Sequence, residues 1–218
     1  MAKIIFYTAQ TGTRGFIPSI KEQKIPEFDY YFFHDNHIQA EANKGWNYRN
    51  ILHEYRQLPN PKRQRLIKMC PHLFFFEEYD YTVWVDCKFY QHKDFYKLCL
   101  EIIQKEKPNF MVCQHKENRT FQQELDFAEQ HKFIPVNDLD TVKEHKIGEF
   151  YSTDTCWLIR KNTEENNMLG LQWFNLTNVC FQNECRDQLT ISSCIRKDYL
   201  SMNHTIEELE KYSFIRHV

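Results

Sequence analysis

Lys68-Met69-Cys70-Pro71-His72, followed after a short aromatic run by Asp80-Tyr81-Thr82-Val83-Trp84-Val85-Asp86, decides how this 218-residue chain is read. Residues 80–86 are β-branched and aromatic and end on a carboxylate, which predicts a strand whose tip can face a ligand. Towards the N-terminus, the apolar run Ile4-Ile5-Phe6-Tyr7 predicts a buried strand over Lys3 to Thr8, closed by the turn Thr11-Gly12-Thr13-Arg14-Gly15. A second strand, Phe28 to Phe33, is almost wholly aromatic and stops at His34-Asp35-Asn36. The basic segment Glu54 to Met69 is helix-permissive after Pro61.

Towards the C-terminus, Phe95, Leu98, Cys99, Ile102 and Ile103 fall at helical spacing, with Pro108 beyond the end. Asn109 to Cys113 predicts a strand, Phe121, Leu125 and Ala128 a helix, and Cys156 to Ile159 another strand. Thr163 caps a helix carrying Met168, Leu171 and Phe174; a shorter helix starts near Arg186, and Thr205 with Glu208 fits a capping box for a last one. Strands alternating with helices imply an α/β fold, a Rossmann-like domain with a mostly parallel central sheet flanked by helices. No repeat, low-complexity stretch or linker divides the chain, so a single domain over residues 1–218 is expected, as ~150 residues per domain also suggests.

Aromatic residues make up 16% of the chain, which excludes a disordered polymer. With 28 Lys+Arg against 30 Asp+Glu there is no global basic field, so nucleic acid is not expected as a partner and any grip on phosphate is local. No apolar run approaches the ~18 residues of a transmembrane helix. The opening apolar run is shorter than the roughly 7 residues of a signal core, which predicts a cytoplasmic protein. The 8 cysteines contain no CxxC pair and sit largely in apolar stretches, as reduced thiols do.

In open α/β sheets ligands bind beyond the carboxyl ends of the strands, where loops and helix N-termini present free N–H groups. Three predicted strand ends carry suitable groups: Thr8-Ala9-Gln10-Thr11-Gly12, His34-Asp35-Asn36 and Asp86-Cys87-Lys88. A turn that admits a ligand to the backbone, an acid for a base or ribose, and a carboxylate for a phosphate-bridging divalent ion would together form a nucleotide-diphosphate site. Taken singly, Asp35 and Asp86 equally well begin turns. Neither GxGxxG nor GxxxxGK[ST] is present, which argues against a dinucleotide fold and a P-loop.

Read together, these segments resemble the GT-A type of nucleotide-sugar glycosyltransferase, and within it a family of small bacterial, viral and plant domains that includes the N-terminal glycosyltransferase domain of a chlorella-virus enzyme. Ile4-Phe6-Tyr7-Thr8-Ala9 with Gly12 carries the first part, and Asp29-Tyr30 through Phe33, Asp35 and Asn36, then Trp46 and Arg49, the second. The two most diagnostic parts are Lys68-Met69-Cys70-Pro71-His72 leading into Trp84-Val85-Asp86, and Trp173-Phe174 followed by Arg186-Asp187-Gln188-Leu189.

The resemblance implies that Thr8, Ala9 and Asp35 contact the nucleoside of a UDP-sugar, that Lys68 approaches its diphosphate, and that Asp86, at the end of the Trp84-Val85 strand, holds Mn²⁺ or Mg²⁺. Lys88 stands where that superfamily usually has a second Asp; turned inward, its ammonium would neutralise phosphate itself. Arg14 is a further candidate for phosphate. Inversion at the sugar requires a carboxylate to take the acceptor's proton. Asp187 is the first choice for this base, oriented by Arg186, and Asp154 the second; Asp187 as a helix N-cap is the alternative. His115, Arg119 and Glu124 form a polar set for sugar hydroxyls or diphosphate, or simply the start of a surface helix. Trp157, Trp173 and Phe174 offer a stacking platform, or core packing. The Lys62 to Lys68 cluster reads as a solvated helix face with only Lys68 turned inward.

The leading expectation is therefore an enzyme that moves a hexose or deoxyhexose from a UDP-sugar donor to a hydroxyl of a glycan acceptor, metal-assisted and inverting, with retention as the alternative course. Two other classes fit parts of the pattern: a module that binds a nucleotide-sugar or glycan without turnover, and a nucleotidyltransferase, which needs a richer phosphate loop than residues 11–15 supply.

Overall fold

The computed structural model describes residues 2–12, 17–35, 44–51, 53–115, 117–145, 150–181 and 186–215. In chain order its elements are β1 (Ile4–Gln10), β2 (Phe28–His34), β3 (Asn47–Asn50), α1 (Asn60–Met69), β4 (Tyr81–Val85), β5 (Phe89–Gln91), α2 (Lys93–Lys105), β6 (Phe110–Gln114), α3 (Phe121–Gln130), α4 (Val136–Glu144), β7 (Thr153–Lys161), α5 (Glu164–Cys180), α6 (Asp187–Cys194), β8 (Leu200–Ser201), α7 (Ile206–Lys211) and β9 (Ser213–Ile215). Seven strands form one sheet in the order β3-β2-β1-β4-β7-β6-β8, while β5 and β9 pair separately. Within the large sheet, β7 runs antiparallel to both of its neighbours and the other pairings are parallel. This is the mostly parallel α/β sheet flanked by helices that the sequence predicts.

The strands read as continuous apolar runs because the sheet is covered on both faces. In β1, Ile4 and Phe6 face one buried cluster while Ile5, Tyr7 and Ala9 face the other, the two-residue period of a strand with no solvent side. Phe95, Tyr96, Cys99, Ile102 and Ile103 of α2 cover the first face, and Leu66, Ile67 and Met69 of α1 with Trp173 of α5 cover the second. Phe6 lies at the centre of the first cluster, edge-on to Tyr96 at 4.9 Å and stacked on Trp46 at 6.0 Å. Truncating such a ring to Ala costs about 3–5 kcal/mol. A third cluster joins α3, α4, α5 and α6 through Leu125, Ala128, Val142, Cys180 and Leu189.

Two caps bear out the helix starts: Thr163 accepts the Asn166 N–H at 3.2 Å, and Thr120 forms a capping box with Gln123. The Glu208 carboxylate instead meets His204 Nδ1 at 2.6 Å, so its side chain is engaged outside the capping box the sequence suggests. Close packing of α1 on α5 depends on Gly170, where an added Cβ would lie 2.2 Å from the Met69 carbonyl oxygen. Buried Arg160 of β7 donates to the carbonyls of Lys68, at 2.6 Å, and of Met69, and Tyr7 donates to the Lys68 carbonyl at 2.9 Å. These bonds satisfy acceptors at the end of α1 that the helix itself leaves open. The described cysteines are unpaired, as expected, and Cys185 lies outside the described residues. No helix among the described residues is long and apolar enough to cross a membrane.

Candidate active site

Because β1, β2, β4 and β6 point the same way, their carboxyl ends share one edge of the sheet, and antiparallel β7 brings its first residues to that edge. A cavity of about 360 Å³ opens there. It is lined by Asp86 and Lys88 after β4, His115, Glu117 and Arg119 after β6, and Asp154, Thr155 and Cys156 at the start of β7. Arg65 and Lys68 of α1, Phe127, Phe133, and Arg186, Asp187 and Gln188 complete the wall.

The start of β7 reaches the cavity through an irregularity in the ladder. Val112 pairs with Leu158, but the next residue of β6, Cys113, pairs with Asp154, so Thr155, Cys156 and Trp157 bulge between them. Bulges of this kind re-aim side chains beside functional sites. Asp154 Oδ1 accepts the Cys156 N–H at 2.9 Å, and no ion pair holds Asp154 among the described residues.

Lys68 lies at the centre of the polar network. Its ammonium is 2.6 Å from Asp187 Oδ2, 3.0 Å from Thr155 Oγ1 and 3.7 Å from Asp86 Oδ1, with the side chain only 1% exposed. Arg65, one helical turn earlier on the same face, lies 3.3 Å from Asp187 Oδ1, and Thr155 donates to Asp187 Oδ2 at 3.0 Å. Burial alone would push the Asp187 pKa up. The Arg65 and Lys68 cations, with hydrogen bonds from Lys68 and Thr155, instead hold its carboxyl well below the usual carboxylate range. A carboxylate so committed has little affinity for another proton. Asp187 begins α6 but is not its N-cap, which is Arg186, and Arg186 turns to Glu124 rather than to Asp187.

On the opposite wall, buried Glu124 of α3 accepts from Arg119 at 3.0 Å and from Arg186 at 2.8 Å. The Arg119 guanidinium also pairs with Glu117 and lies 3.7 Å from the Phe127 ring centre; that of Arg186 lies 5.1 Å from Phe133. Arg186 Nε–H is buried without an acceptor among the described residues. His115 turns back on its own loop, its Nδ1 accepting the Glu117 N–H at 3.2 Å. The expected trio His115, Arg119 and Glu124 is thus together, with Glu124 behind the two arginines.

Thr8, Ala9, Gly12 and Asp35 gather at the ends of β1 and β2, one and two strands away from the strand that leads to Asp86, and do not line this cavity. The single pocket expected for Asp35 and Asp86 is therefore two adjoining spots. The reason is local: Asp35 Oδ2 folds back to accept the Gly12 N–H at 2.7 Å and faces Arg63 at 3.3 Å. Gly12 holds a φ of +87°, a region that other residues adopt only under strain. Gln64 of α1 donates to the Ala9 carbonyl at 3.1 Å. Asp35 Oδ1 and Thr8 Oγ1 are buried with no hydrogen-bond partner among the described residues, an arrangement a ligand N–H or O–H would satisfy. Helix α1 joins the two spots, Arg63 serving one and Lys68 the other, about 7.5 Å further along at 1.5 Å per residue. Arg14 and Asn36 lie outside the described residues.

Several expectations are corrected. Trp84 and Val85 are wholly buried and do not line the cavity; Trp84 lies behind it, donating its Nε1–H to Asp86 Oδ1 at 2.9 Å, with the Lys68 ammonium 6.0 Å from its ring centre. Of the two readings of Trp157 and Trp173, core packing is the one the structure bears out: both are fully buried, and Trp173 Nε1–H donates to the Asp187 carbonyl at 3.1 Å. Phe174 packs against the core, and the rings that do line the cavity are Phe127 and Phe133. The basic face of α1 is not simply solvated, since Arg63 and Arg65 join Lys68 in pairing inward with acids. The spacing of Arg65 and Lys68 carried that signal; nothing in the sequence marked the bulge that presents Thr155.

The residues present do not fit a divalent ion. Asp86 Oδ1 is taken by the Trp84 indole and faces an ammonium, both oxygens of Asp187 are taken by cations, and a lysine, Lys88, follows where a second acid would strengthen the site. Among the described residues no three His, Cys, Asp or Glu side chains are grouped to hold a metal.

No protein-family model and no curated protein matches the chain. Among solved structures, it is similar to core-mannan synthase A from Aspergillus fumigatus in a Mn/GDP form, at 7% identity over 93% of this chain and 73% of that one, with a TM-score of 0.48. It is also similar to mouse xyloside xylosyltransferase 1 in its apo form, at 10% identity over 92% and 84% of the two chains, with a TM-score of 0.46.

Proposed function

We propose that the chain is a GT-A type glycosyltransferase that moves a hexose or deoxyhexose from a UDP-sugar onto a glycan hydroxyl, with inversion at the anomeric carbon. The observation that carries this reading is the composition of the cavity. At the sheet edge where α/β folds bind ligands, Lys68, Lys88, Arg119 and Arg186 supply positive charge for a diphosphate, and Asp154 supplies a carboxylate for the acceptor. The four-segment sequence resemblance supports the same reading.

The nucleoside lies against Thr8, Ala9, Gly12 and Asp35, with the orphaned Thr8 Oγ1 and Asp35 Oδ1 accepting its N–H and O–H groups. The diphosphate extends from there into the cavity. As the acceptor oxygen bonds to the anomeric carbon, the bond from that carbon to the β-phosphate oxygen breaks and its electron pair stays with the phosphate, so UDP leaves. The acceptor's proton passes to Asp154 and then to water. Asp154 takes the base role ahead of Asp187 because it lines the cavity with no cation paired to it, whereas Asp187 anchors Lys68. The cationic wall is in place before charge develops on the leaving phosphate, and each such fixed donor is worth on the order of 10²–10³ in kcat.

Incubating the protein with UDP-glucose, UDP-galactose and a deoxyhexose donor, and measuring free UDP with and without oligosaccharide acceptors, tests this reading. Acceptor-dependent UDP release is expected. Saturable UDP-sugar affinity with no release under any condition assigns the chain to a binding module instead.

A further inference from the structure

The cavity holds a cationic wall that is organised from behind, and of its lining acids Asp86, Glu117 and Asp187 already face cations while Asp154 does not. Glu124 fixes Arg119 and Arg186 side by side, at 3.0 and 2.8 Å, while Phe127 supports the face of the Arg119 guanidinium at 3.7 Å. A guanidinium carries five N–H donors, so both arginines keep donors beyond those that Glu124 and, for Arg119, Glu117 take. Lys88 is exposed and stands on the cavity rim, and Lys68 lies behind, held by Asp187 and Asp86. Paired guanidinium groups match phosphate oxygens in geometry as well as charge. A divalent ion would instead have to share Asp86 with the Lys68 ammonium.

We propose that the donor's pyrophosphate is neutralised by side chains alone, by Arg119, Arg186 and Lys88 in contact with Lys68 behind them, and that sugar transfer proceeds without a divalent ion. This rests on the glycosyltransferase reading above and replaces the metal use that the resemblance implies. The bond changes are those already given; the charge left on UDP is met by ammonium and guanidinium groups. Glu124 is a positioning residue, acting through the two arginines.

The test is calorimetric titration of the full chain with UDP, in EDTA and again in Mn²⁺ or Mg²⁺, beside UDP release from UDP-glucose under the same conditions. UDP affinity and turnover within about twofold across the conditions are expected. In EDTA, Lys88→Ala on the exposed rim and Arg186→Met should each weaken UDP on the order of tenfold, roughly one charge-assisted hydrogen bond. Glu124→Gln should weaken UDP less than Arg186→Met does. Lys88→Ala keeps the test open if the buried variants fail to fold. UDP binding or turnover that appears only with the metal, or unchanged affinity in Lys88→Ala and Arg186→Met, overturns the proposal and leaves the glycosyltransferase reading standing. No UDP binding and no release under any condition removes both.

Discussion

Replacing Lys68 by Met removes one charge from a buried network while keeping most of the side-chain volume. In the parent, the ammonium lies 2.6 Å from Asp187 Oδ2 and 3.7 Å from Asp86 Oδ1, and the Lys68 and Asp187 side chains are 1% and 5% exposed. Both ions have been taken out of water, so the net worth of the pair is far below its Coulomb attraction. Removing Lys68 strips the cation from Asp187 Oδ2 and leaves Arg65 alone on Oδ1, and losing a buried partner costs about 3–5 kcal/mol in comparable sites. For a chain of this length each kcal/mol moves the melting temperature by roughly 2–4 °C, so Lys68→Met should melt about 6–20 °C below the parent. Thermal unfolding followed by circular dichroism, with urea titration to obtain the free energy, measures this. The double variant Lys68→Met with Asp187→Leu should recover a large part of the loss, because an apolar pair needs no compensating charge. A single variant melting within about 2 °C of the parent, or a double variant no better than the single, would refute the account of Lys68 as a buried counter-ion.

Other consequences follow from the same geometry. Asp187 has its folded pKa depressed below the unfolded ~3.9, so the stability it contributes is complete above that value and is lost as pH falls towards the folded one. Urea titrations between pH 5 and pH 2 should therefore show a shallower acid loss in Asp187→Asn than in the parent; equal slopes contradict the assignment. Gly170→Ala, whose Cβ would overlap the Met69 carbonyl, should lose about 3 kcal/mol by urea titration and is wrongly explained if the loss is under about 0.5 kcal/mol. Trp84→Phe removes the indole N–H from Asp86 at the cost of a bond worth about 1.5–3 kcal/mol; unchanged stability would place that bond elsewhere. Asp35→Ala should weaken uridine nucleotides on the order of tenfold in titration calorimetry, and unaltered affinity would move the nucleoside away from β2.

Much of this architecture is legible in the residues because both faces of the sheet are covered, which buries β1 and β4 throughout and gives β2 and β7 the apolar stretches Tyr30 to Phe33 and Cys156 to Ile159. Edge and short elements give no such signal. β3 is Asn47-Tyr48-Arg49-Asn50, with no residue fully buried, and it is visible only once Tyr31 to His34 are seen to pair with it. In α4, Val136, Leu139 and Val142 are spread among Asn and Asp residues, too sparse a stripe to stand out. For the site, strand-end acids and the Arg186-Asp187-Gln188 segment were readable by position, but their partners were not. Local sequence relates Asp187 to its neighbour Arg186; the fold gives it Lys68 and Arg65, more than 115 residues earlier, and gives Arg186 to Glu124. The β7 bulge that presents Asp154 and Thr155 arises from pairing with β6 and leaves no trace in alternation.

Arg160 never reaches the cavity, yet it ties the strand that carries Asp154 and Thr155 to the carbonyls of Lys68 and Met69. Asp154 and the Lys68 ammonium are thereby tethered to one another through the interior, so their spacing is set when the chain folds. A change at this arginine would be felt as a site whose opposing walls drift independently, with every lining residue intact.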